Sequence, residues 1–442
     1  MNRKRYDAAV IGGGLAGWIA AIELARAGKS VVLLEKSNRM GGRARTADKR
    51  GVLFNLGGHA LYLGGELHAV LQEWGVQLEG GRASSSPFAI WHNRVFPMPA
   101  DPVKLLASPL LSWRGKTELV RLLFKLGRIA TDTLETASLR EWAEKEIGEP
   151  MARHIFYALC RTATFTQDPD LQAAGPVLKQ VQRSLKNGVL YINGGWQTIV
   201  DRLEALAVSA GVHILSGKAV SAVEQTDGAV SRVTCSDGET FELSQVISTL
   251  PPADTYRLVR NAEHTMLRRW KEEARPSMAA CLDLGLKRLP TPGRNLAFGL
   301  DQPVFFSNQS ASAKLSEHGT IVVHLLKYNN TGGSDPKADE RMLEQTMSLL
   351  HPGWEREVVE RQYLPAMPVV HDYMHLGRTS RFPGPAVPEI RGLYVAGDWA
   401  SHGEMLADAA AASARRAARQ AAAELDRIGR RAGAEPLSLL SV

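Results

Sequence analysis

The sequence predicts an α/β protein built on a parallel sheet, and three features of the 442-residue chain support this. The N-terminal stretch alternates strand-like, glycine-rich and helix-like segments. A second block of similar character runs from about Tyr191 to Pro252, and a third begins at Gly392. Because a strand–helix–strand unit joins parallel strands through a right-handed crossover, the three blocks together predict one discontinuous sheet.

The first block contains a complete strand–helix–strand unit. Asp7–Ile11 is a short apolar run typical of a buried strand, and glycines 12–14 follow it directly. Leu15–Ala27 has the apolar spacing of a helix, and Ser30–Leu34 is a second strand-like run that ends at Glu35. This order predicts two parallel strands connected by one helix.

The second and third blocks supply the remaining elements of this sheet. A helix is predicted over Trp196–Ala210, where apolar residues recur three and four positions apart. Strands are predicted at His213–Leu215, Ala219–Glu224, Val230–Cys235, Thr240–Leu243 and Gln245–Leu250. The third block predicts a strand at Leu393–Ala396 and an alanine-rich helix that ends at about Ile428.

The segments between the blocks have a different composition and predict a second domain. Residues 80–190 are rich in helix-forming residues, whereas residues 255–388 combine strand patterns at Ser277–Leu284 and Thr320–Leu326 with loops. We therefore predict a nucleotide-binding domain formed by residues 1–79, 191–254 and 389–428. Residues 80–190 and 255–388 are predicted to form a mixed α+β substrate domain, and residues 429–442 a flexible tail.

Composition excludes several classes of protein. With 44% apolar and 22% charged residues, the chain is neither disordered nor fibrous, and three distant cysteines do not form a disulfide framework. The formal charge of +7 is mild for this length and suits an anionic ligand or a membrane surface as well as nucleic acid, so charge alone does not identify a partner; we expect no nucleic-acid partner. The sequence shows no signal peptide, spanning helix or metal-ligand pattern, so we expect a cytoplasmic protein; its oligomeric state stays open.

The glycine-rich turn predicts a dinucleotide site. Gly12, Gly14 and Gly17 form a GxGxxG pattern between a strand and a helix, and Glu35 ends the next strand. Gly12 permits the tight turn, Gly14 lets a pyrophosphate approach the backbone, and Gly17 lets the helix pack closely on the strand. The carboxylate of Glu35 is placed to accept hydrogen bonds from ribose hydroxyl groups and disfavours a 2′-phosphate.

Further motifs indicate which dinucleotide binds. Met40-Gly41-Gly42-Arg43-Ala44-Arg45 follows Glu35 closely, and Leu393-Tyr394-Val395-Ala396-Gly397-Asp398 precedes the last helix. These motifs resemble the FAD-dependent superfamily of monoamine oxidases, protoporphyrinogen oxidases and phytoene-type desaturases. The resemblance implies a Rossmann-like FAD-binding domain with an inserted substrate domain. It implies cofactor contacts at Gly12, Gly14, Leu15, Ala16, Gly17, Glu35, Lys36, Gly42, Arg43, Gly57, Gly58, His59, Val220, Gly397, Asp398, Met405, Leu406 and Ala407.

The resemblance also implies how several of these contacts act. Arg43 would neutralise the diphosphate, the backbone at Val220 would contact the adenine edge, and Asp398 would accept from the ribityl or phosphate region. The helix that starts near Leu406–Asp408 would point its N-terminus at flavin N1 and O2, where reduction places negative charge. No cysteine follows Cys281, so we expect FAD to be bound noncovalently.

Two departures from amine oxidases favour one branch of the superfamily. The position that carries an aromatic ring in many amine oxidases falls on Leu406, and Lys287 is only a remote counterpart of their lysine near N5. The sequence therefore favours a desaturase or dehydrogenase that moves a hydride from a hydrophobic, isoprenoid-like substrate to flavin N5. An amine or amino-acid oxidase that produces hydrogen peroxide is the alternative. A flavin-binding redox module without turnover is the alternative of another class.

Side chains in the cofactor motifs and near them are the candidates for substrate contact. The candidates are His59, Tyr62, His371, Tyr373, Trp399 and His402. His59 and His402 are the preferred catalytic candidates, because both lie in cofactor-adjacent motifs and a histidine near N5 could act as a base.

One segment of the first insert suggests a membrane contact. Within Arg114–Ala130, five apolar residues are predicted to share one face and four basic residues another; the apolar set is Leu119, Leu122, Leu123, Leu126 and Ile129. A basic amphipathic helix of this kind lies at membrane interfaces in some proteins and packs on an ordinary core in others. Peripheral membrane contact through this segment is therefore an expectation, with ordinary packing as its alternative.

Overall fold

The computed structural model describes residues 4–84, 86–134, 136–329, 333–378 and 383–434. Its strands are β1 (Lys4–Arg5), β2 (Ala8–Ile11), β3 (Val31–Leu34), β4 (Thr46–Lys49), β5 (Val52–Asn55), β6 (Leu61–Tyr62), β7 (Gly80–Arg82), β8 (Phe88–Trp91), β9 (Arg94–Pro97), β10 (Val189–Ile192), β11 (His213–Leu215), β12 (Val220–Thr226), β13 (Ala229–Cys235), β14 (Thr240–Glu242), β15 (Gln245–Ser248), β16 (Ser277–Leu286), β17 (Leu296–Gly299), β18 (Val304–Asn308), β19 (Ile321–Asn329), β20 (Val358–Val370) and β21 (Leu393–Val395).

The α-helices within these ranges lie mainly around two of the sheets. They are α1 (Leu15–Arg26), α2 (Glu66–Glu73), α3 (Pro102–Ala107), α4 (Trp113–Leu126), α5 (Leu139–Glu146), α6 (Pro150–Thr164), α7 (Ala174–Asn187), α8 (Gln197–Ser209), α9 (Pro252–Leu258), α10 (Met266–Glu273), α11 (Pro336–Leu350) and α12 (Leu406–Ala434).

A five-stranded parallel sheet carries the nucleotide-binding turn. Its strand order is β11-β3-β2-β15-β21, and every neighbouring pair is parallel. All five strands come from the three blocks that predicted them. Helices α1, α2, α8 and α12 pack in one apolar cluster on one face of this sheet, and the other face packs in a second cluster with residues of β12, β13 and α10. The parallel sheet is therefore confirmed.

A seven-stranded sheet is built from the two inserts. Its order is β20-β16-β19-β18-β17-β8-β9, and its pairs are antiparallel except for β17 with β8. One face packs against α11. The other face joins an apolar cluster that contains residues of α4, α5, α6 and α7 together with Phe165 and Met405. This mixed α+β unit agrees with the predicted fold class, while the domain boundaries stay a prediction.

The last helix is longer than its sequence pattern suggested. We placed a flexible tail at residues 429–442, with Gly429 as the first tail residue, but α12 continues to Ala434. Each glycine costs a helix only about 1 kcal/mol relative to alanine, and the extension contains two, Gly429 and Gly433, beside the helix-forming residues Arg430, Arg431 and Ala432. The prediction was wrong for residues 429–434, and the rest of the predicted tail lies outside the described residues.

The amphipathic segment of the first insert differs from its prediction at both ends. Its helix, α4, starts at Trp113 and ends at Leu126, and Ile129 lies beyond it. Leu119, Leu122 and Leu126 are buried as predicted, whereas Leu123 is 39% exposed. At about 100° per residue, Leu123 lies about 40° from Leu119 and 100° from Leu122, which places it at the edge of the buried row, where it is partly exposed.

Within the described ranges, none of the helices has both the length and the apolar content needed to cross a bilayer.

Candidate functional site

The turn between β2 and α1 has the close packing that its glycines predicted. Gly12 has a φ of +107°, and a Cβ atom on Gly17 would lie 1.8 Å from the carbonyl oxygen of Gly12. Thr249, which directly follows β15, contacts this turn. Its hydroxyl donates to the carbonyl oxygens of Ile11 (2.9 Å) and Gly12 (3.2 Å). Only glycine fits at position 17, so this residue serves the packing of α1 on the sheet.

Gly14 leaves the N-terminus of α1 open to a ligand. It is the N-cap residue, no side chain caps the helix, and a Cβ atom built on it would meet no protein atom within 4 Å. The first N–H groups of a helix lack partners within the helix and carry the positive end of its dipole. The space beside Gly14 therefore suits a phosphate group.

Glu35 lies at the far end of this turn. Its Oε2 accepts from the Gly13 N–H at 2.7 Å, and its Oε1 accepts from the Ser37 N–H at 2.8 Å. The Lys218 N–H donates to the Glu35 carbonyl oxygen at 2.8 Å, which brings the start of β12 at Val220 to the same edge. Each carboxylate oxygen keeps acceptor capacity for a ribose hydroxyl. Lys36 is exposed, and its cofactor contact stays a prediction.

The second glycine motif packs directly on the first. The Gly41 N–H donates to the Gly13 carbonyl oxygen at 2.7 Å. A Cβ atom on Gly42 would lie 3.4 Å from the Cα of Gly14. This close approach places the next residue, Arg43, beside the open end of α1.

Arg43 connects three distant parts of the chain. Its Nη1 donates to the carbonyl oxygens of Val369 (2.7 Å) and Pro368 (3.3 Å) and to Oδ2 of Asp398 (2.9 Å). Asp398 also accepts from the His371 N–H at 3.0 Å. Burial alone would raise the pKa of the Asp398 carboxyl, but the positive charge of Arg43 and these hydrogen bonds bring that pKa below its ordinary value.

A cavity extends from the open end of α1 to the N-terminus of α12. About 1020 Å³ of space here is free of protein atoms, part of it open to solvent. The predicted cofactor residues that line it are Gly14, Leu15, Ala16, Arg43, Gly57, Gly58, His59, Gly397, Asp398, Leu406 and Ala407. Those that do not line it are Gly12, Gly17, Glu35, Lys36, Gly42, Val220 and Met405. The cavity therefore brings together the three sequence blocks.

The N-terminus of α12 lies against the cavity as predicted. Leu406 starts the helix with a φ of +58°. Asp408 in the first turn accepts from the Leu67 N–H at 3.0 Å and from Nη1 of Arg183 at 2.7 Å. Burial raises the pKa of the Asp408 carboxyl despite this ion pair. These bonds anchor the helix end to α2 and α7.

His59 lines the cavity, as its motif predicted. Its Nδ1 lies 2.9 Å from the Gly57 carbonyl oxygen, and its ring meets Trp196 edge-on with the centroids 4.7 Å apart. Burial lowers the pKa of His59 to about 4, so the ring is neutral at pH 7. Its assignment as a catalytic residue stays a prediction.

His402 lies away from both pockets, and its assignment as a catalytic residue stays a prediction. It lines neither the cavity nor the smaller pocket beside it. Its side chain lies by the backbone of Pro383 and Gly384. The cause is the tight turn at residues 401–404, in which the Glu404 carboxylate accepts from the His402 N–H at 2.9 Å.

Two further substrate candidates lie outside these pockets. Trp399 is 1% exposed, donates through Nε1 to the Leu250 carbonyl oxygen at 2.9 Å and packs against Trp270 in the core. His371 lines neither pocket, although its backbone N–H donates to the Asp398 carboxylate. Substrate contact by these two residues stays a prediction, because a short motif does not show which face of its backbone meets the cavity.

Two tyrosines lie at pocket surfaces as predicted. Tyr62 lines the cavity and donates to the Ala163 carbonyl oxygen at 3.2 Å. Tyr373 lines the smaller pocket and donates to Oδ2 of Asp168 at 2.6 Å. Lys287, the remote counterpart of an amine-oxidase lysine, is exposed at the end of β16 and lines neither pocket.

Sequence reasoning missed several residues that line the cavity. Phe165, Met367 and Val369 line it, as does Trp196. Phe165 follows α6 with a left-handed φ of +56°, and Met367 and Val369 lie near the end of the long strand β20. No local motif marks them. Trp196, which follows the glycine pair before α8, was the one position with a sequence signal.

The residues present fit FAD. The open helix end at Gly14 suits the diphosphate, the carboxylate of Glu35 suits the adenosine ribose, and the apolar end of the cavity near Leu406 suits a flat ring. Arg43 supplies positive charge between these ends. None of the three cysteines lines the cavity.

Comparisons with known proteins agree with this site. A family model for flavin-containing amine oxidoreductases matches residues 15–422. AofH of Mycobacterium tuberculosis, assigned as a flavin-containing monoamine oxidase, is 28% identical over 275 residues, which are 56% of this chain and 57% of that protein. This chain therefore matches just over half the length of that relative.

Two further proteins have wider coverage. A 4,4'-diapolycopene oxygenase from a Methylomonas species is 25% identical over 348 residues, which are 71% of this chain and 69% of that protein. The crystal structure of an oxidoreductase from Methanosarcina mazei has a TM-score of 0.77 at 19% identity and covers 93% of this chain and 99% of that one. Since the family model spans nearly all of the sequence, the chain belongs to the family of flavin-containing amine oxidoreductases, and its cofactor is FAD.

Proposed function

We propose that this protein oxidises a hydrophobic, isoprenoid-like substrate as an FAD-dependent desaturase or dehydrogenase. The observation that carries the proposal is the charge balance of the two pockets. Every carboxylate that lines them is paired with an arginine: Asp398 with Arg43, Asp408 with Arg183, Asp372 with Arg378 and Glu404 with Arg416. The described pocket walls thus offer an ammonium group no uncompensated negative charge.

The substrate side of the cavity supports an apolar ligand. Phe165, Met367, Val369 and Leu406 line this side, and Leu406 occupies the position at which many amine oxidases carry a ring. Apolar side chains of this kind bind a ligand by the hydrophobic effect and keep water away from it. When bound, FAD supplies a hydride acceptor at N5.

The polar groups of the cavity hold the site in shape. The Tyr62 hydroxyl donates a hydrogen bond to the Ala163 carbonyl oxygen. Nδ1 of His59 lies within hydrogen-bond distance of the Gly57 carbonyl oxygen. Because His59 is neutral at pH 7, it adds no positive charge beside the substrate. Oxidation of a C–C single bond removes a hydride from one carbon and a proton from the carbon next to it. The polar groups of the site then need only accept that proton.

An amine or amino-acid oxidase that produces hydrogen peroxide is the second candidate. The similarity to the mycobacterial protein assigned as a monoamine oxidase favours it. The similarity to the diapolycopene oxygenase, which extends over more of the chain, favours the isoprenoid substrate. A flavin-binding module without turnover is the third candidate.

Anaerobic reduction of the bound flavin separates these candidates. The FAD-loaded protein is mixed without oxygen with isoprenoid hydrocarbons in detergent micelles and, separately, with a panel of primary amines and amino acids. We expect the isoprenoids to bleach the flavin and the amines to leave it oxidised. Bleaching by amines alone, with peroxide released in air, would contradict the proposal. If neither panel bleaches the flavin, the protein is the redox module.

A pair of methionine variants links the bleaching to the cavity. Met367→Gln adds a polar group to the apolar side of the cavity, whereas Met342→Gln makes the same change on α11, against the other face of the seven-stranded sheet. We expect Met367→Gln to slow bleaching by at least about tenfold, because substrate binding would remove the amide from water without giving it a hydrogen-bond partner. Met342→Gln should leave the bleaching rate unchanged. Equal bleaching rates in the two variants would show that the reaction does not take place in this cavity.

A further inference from the structure

The surface formed by α3 and α4 exposes an unusual set of large apolar side chains. On α3, Val103 is 76% exposed and Leu106 is 60% exposed. On α4, Trp113 is 72% exposed and Phe124 is 66% exposed. Single exposed apolar residues are common, but several large ones on two adjacent short helices indicate an interaction surface. We name these four residues the apolar patch.

The apolar patch is distinct from the core-facing side of α4. Leu119, Leu122 and Leu126 are spaced three and four residues apart and are buried in the cluster that also contains Phe165. Trp113 and Phe124 lie about eleven residues apart, or three helical turns, on a second row. At about 100° per residue this row faces nearly away from the buried one, so α4 has two apolar rows, and among the described residues only one of them has a packing partner.

A lysine brings the two helices of the patch together. Nζ of Lys116 donates to the Leu106 carbonyl oxygen at 2.5 Å and lies 4.8 Å from the centroid of the Trp113 ring. The end of α3 and the start of α4 therefore meet at one side chain. Leu106 and Trp113 form one continuous surface rather than two isolated sites.

Basic side chains follow the edge of this surface. Arg114 and Arg121 lie on α4 and Arg128 in the turn after it, spaced seven residues apart, and all three are exposed. None of them forms an ion pair with a described residue. The one acid on α4, Glu118, turns inward and accepts from the backbone N–H groups of Gly148 and Glu149. The edge of the patch thus carries positive charge without local compensation.

We propose that the apolar patch and these three arginines dock the protein on the surface of an anionic phospholipid bilayer. Apolar side chains enter the interface between head groups and acyl chains, and neighbouring arginines bind the lipid phosphates. A second copy of this chain fits less well, because a symmetric contact through the patch brings like-charged arginines together. The proposal is independent of the substrate, since it rests only on α3, α4 and the turn after it.

Vesicle sedimentation tests the proposal with the FAD-loaded protein. Vesicles of phosphatidylcholine mixed with phosphatidylglycerol are compared with vesicles of phosphatidylcholine alone. We expect the wild-type protein to sediment with the mixed vesicles and to stay in solution with the neutral ones. Trp113→Ser combined with Phe124→Ser should weaken binding to the mixed vesicles by at least about tenfold. The same change at Leu185 and Val208, which are exposed elsewhere, should not.

A second variant set tests the charges. One variant replaces three arginines of the patch edge with Gln, namely Arg114, Arg121 and Arg128. The control variant makes the same change at three arginines exposed elsewhere, Arg202, Arg260 and Arg356, so that both variants have the same net charge. We expect only the first set to lose binding, by about a hundredfold, since each basic residue near an anionic surface contributes about fivefold. Absence of wild-type binding, or equal losses in both sets, overturns the proposal. So does a wild-type dimer that the Trp113→Ser and Phe124→Ser changes convert to monomer.

Discussion

Nη1 of Arg43 lies 2.9 Å from Oδ2 of Asp398, and this ion pair joins two motifs that are 355 residues apart in the chain. The same guanidinium donates to the carbonyl oxygens of Pro368 and Val369 at the end of β20. A single side chain therefore connects the second glycine motif, the last motif and β20 around one cavity.

Replacing Arg43 with Lys should weaken FAD binding. A lysine keeps the positive charge, but one ammonium group cannot reach the three acceptors that the guanidinium holds. We expect the FAD dissociation constant to rise about tenfold, which corresponds to about 1.4 kcal/mol. Titration of the FAD-free protein with FAD measures this. The control is Arg39→Lys, which changes an exposed arginine outside the cavity and should leave the affinity as in wild type.

The Asp398 carboxyl should make stability depend on acid pH. Its pKa lies below the ordinary value of about 3.9, so the folded protein binds this proton more weakly than the unfolded chain does. The carboxylate therefore stabilises the fold above about pH 4, and this stabilisation is lost as the pH falls through the lowered pKa. Urea unfolding of wild type and Asp398→Asn from about pH 3 to pH 7 should show a difference that shrinks below about pH 4. A difference that stays constant over this range would contradict the assigned pKa.

Gly14 and Gly17 should separate cofactor binding from folding. A Cβ atom at position 14 meets no protein atom but enters the space beside the open end of α1, whereas at position 17 it collides with the Gly12 carbonyl oxygen. Gly14→Ala should change the free energy of unfolding of the FAD-free protein by less than about 1 kcal/mol and should still abolish FAD binding.

Gly17→Ala is the matched variant. It should destabilise the FAD-free protein by more than about 3 kcal/mol, because a backbone clash of this size forces α1 away from the sheet. Urea unfolding and FAD titration together measure the two effects. Normal FAD binding by Gly14→Ala would show that the diphosphate lies elsewhere.

His59 and His402 should differ in their effect on the bound flavin. His59 lines the cavity and His402 does not. His59→Ala should therefore shift the visible absorption spectrum of bound FAD and slow its anaerobic reduction by at least about tenfold, while His402→Ala should leave both unchanged. Because burial lowers the pKa of His59 to about 4, its titration should not appear in the rate between pH 6 and pH 8. A spectral shift in His402→Ala alone would reverse the assignment.

Sequence patterns predicted the elements of the cofactor site because those elements are local. The strand, turn and helix around Gly12, Gly14 and Gly17 are contiguous, and their glycines are required by contacts within the turn. Glu35 and the start of α12 at Leu406 were also predicted. Glu35 directly follows a strand whose apolar run marks its end, whereas the start of α12 was implied by the family resemblance of the motif before it.

The substrate side of the cavity could not be predicted in the same way. Phe165 comes from the end of α6 and Met367 from β20, and only the packing of the seven-stranded sheet brings them together. His402 and Trp399 were chosen for their nearness to a motif, but a tight turn and the core determine where they point. Proximity in sequence thus indicated the cavity wall at the glycine motifs better than it indicated the wall formed by Phe165 and Met367.

Absorption spectroscopy of the purified protein tests the central claim most directly. If the three distant blocks enclose one noncovalent FAD, the protein loaded with FAD absorbs near 450 nm, about the maximum typical of oxidised flavins, and holds one FAD per chain. Acid denaturation then releases all of this flavin into solution, since none of Cys160, Cys235 and Cys281 lines the cavity. A protein that stays colourless after incubation with FAD, or one that keeps its flavin after denaturation, would contradict the account.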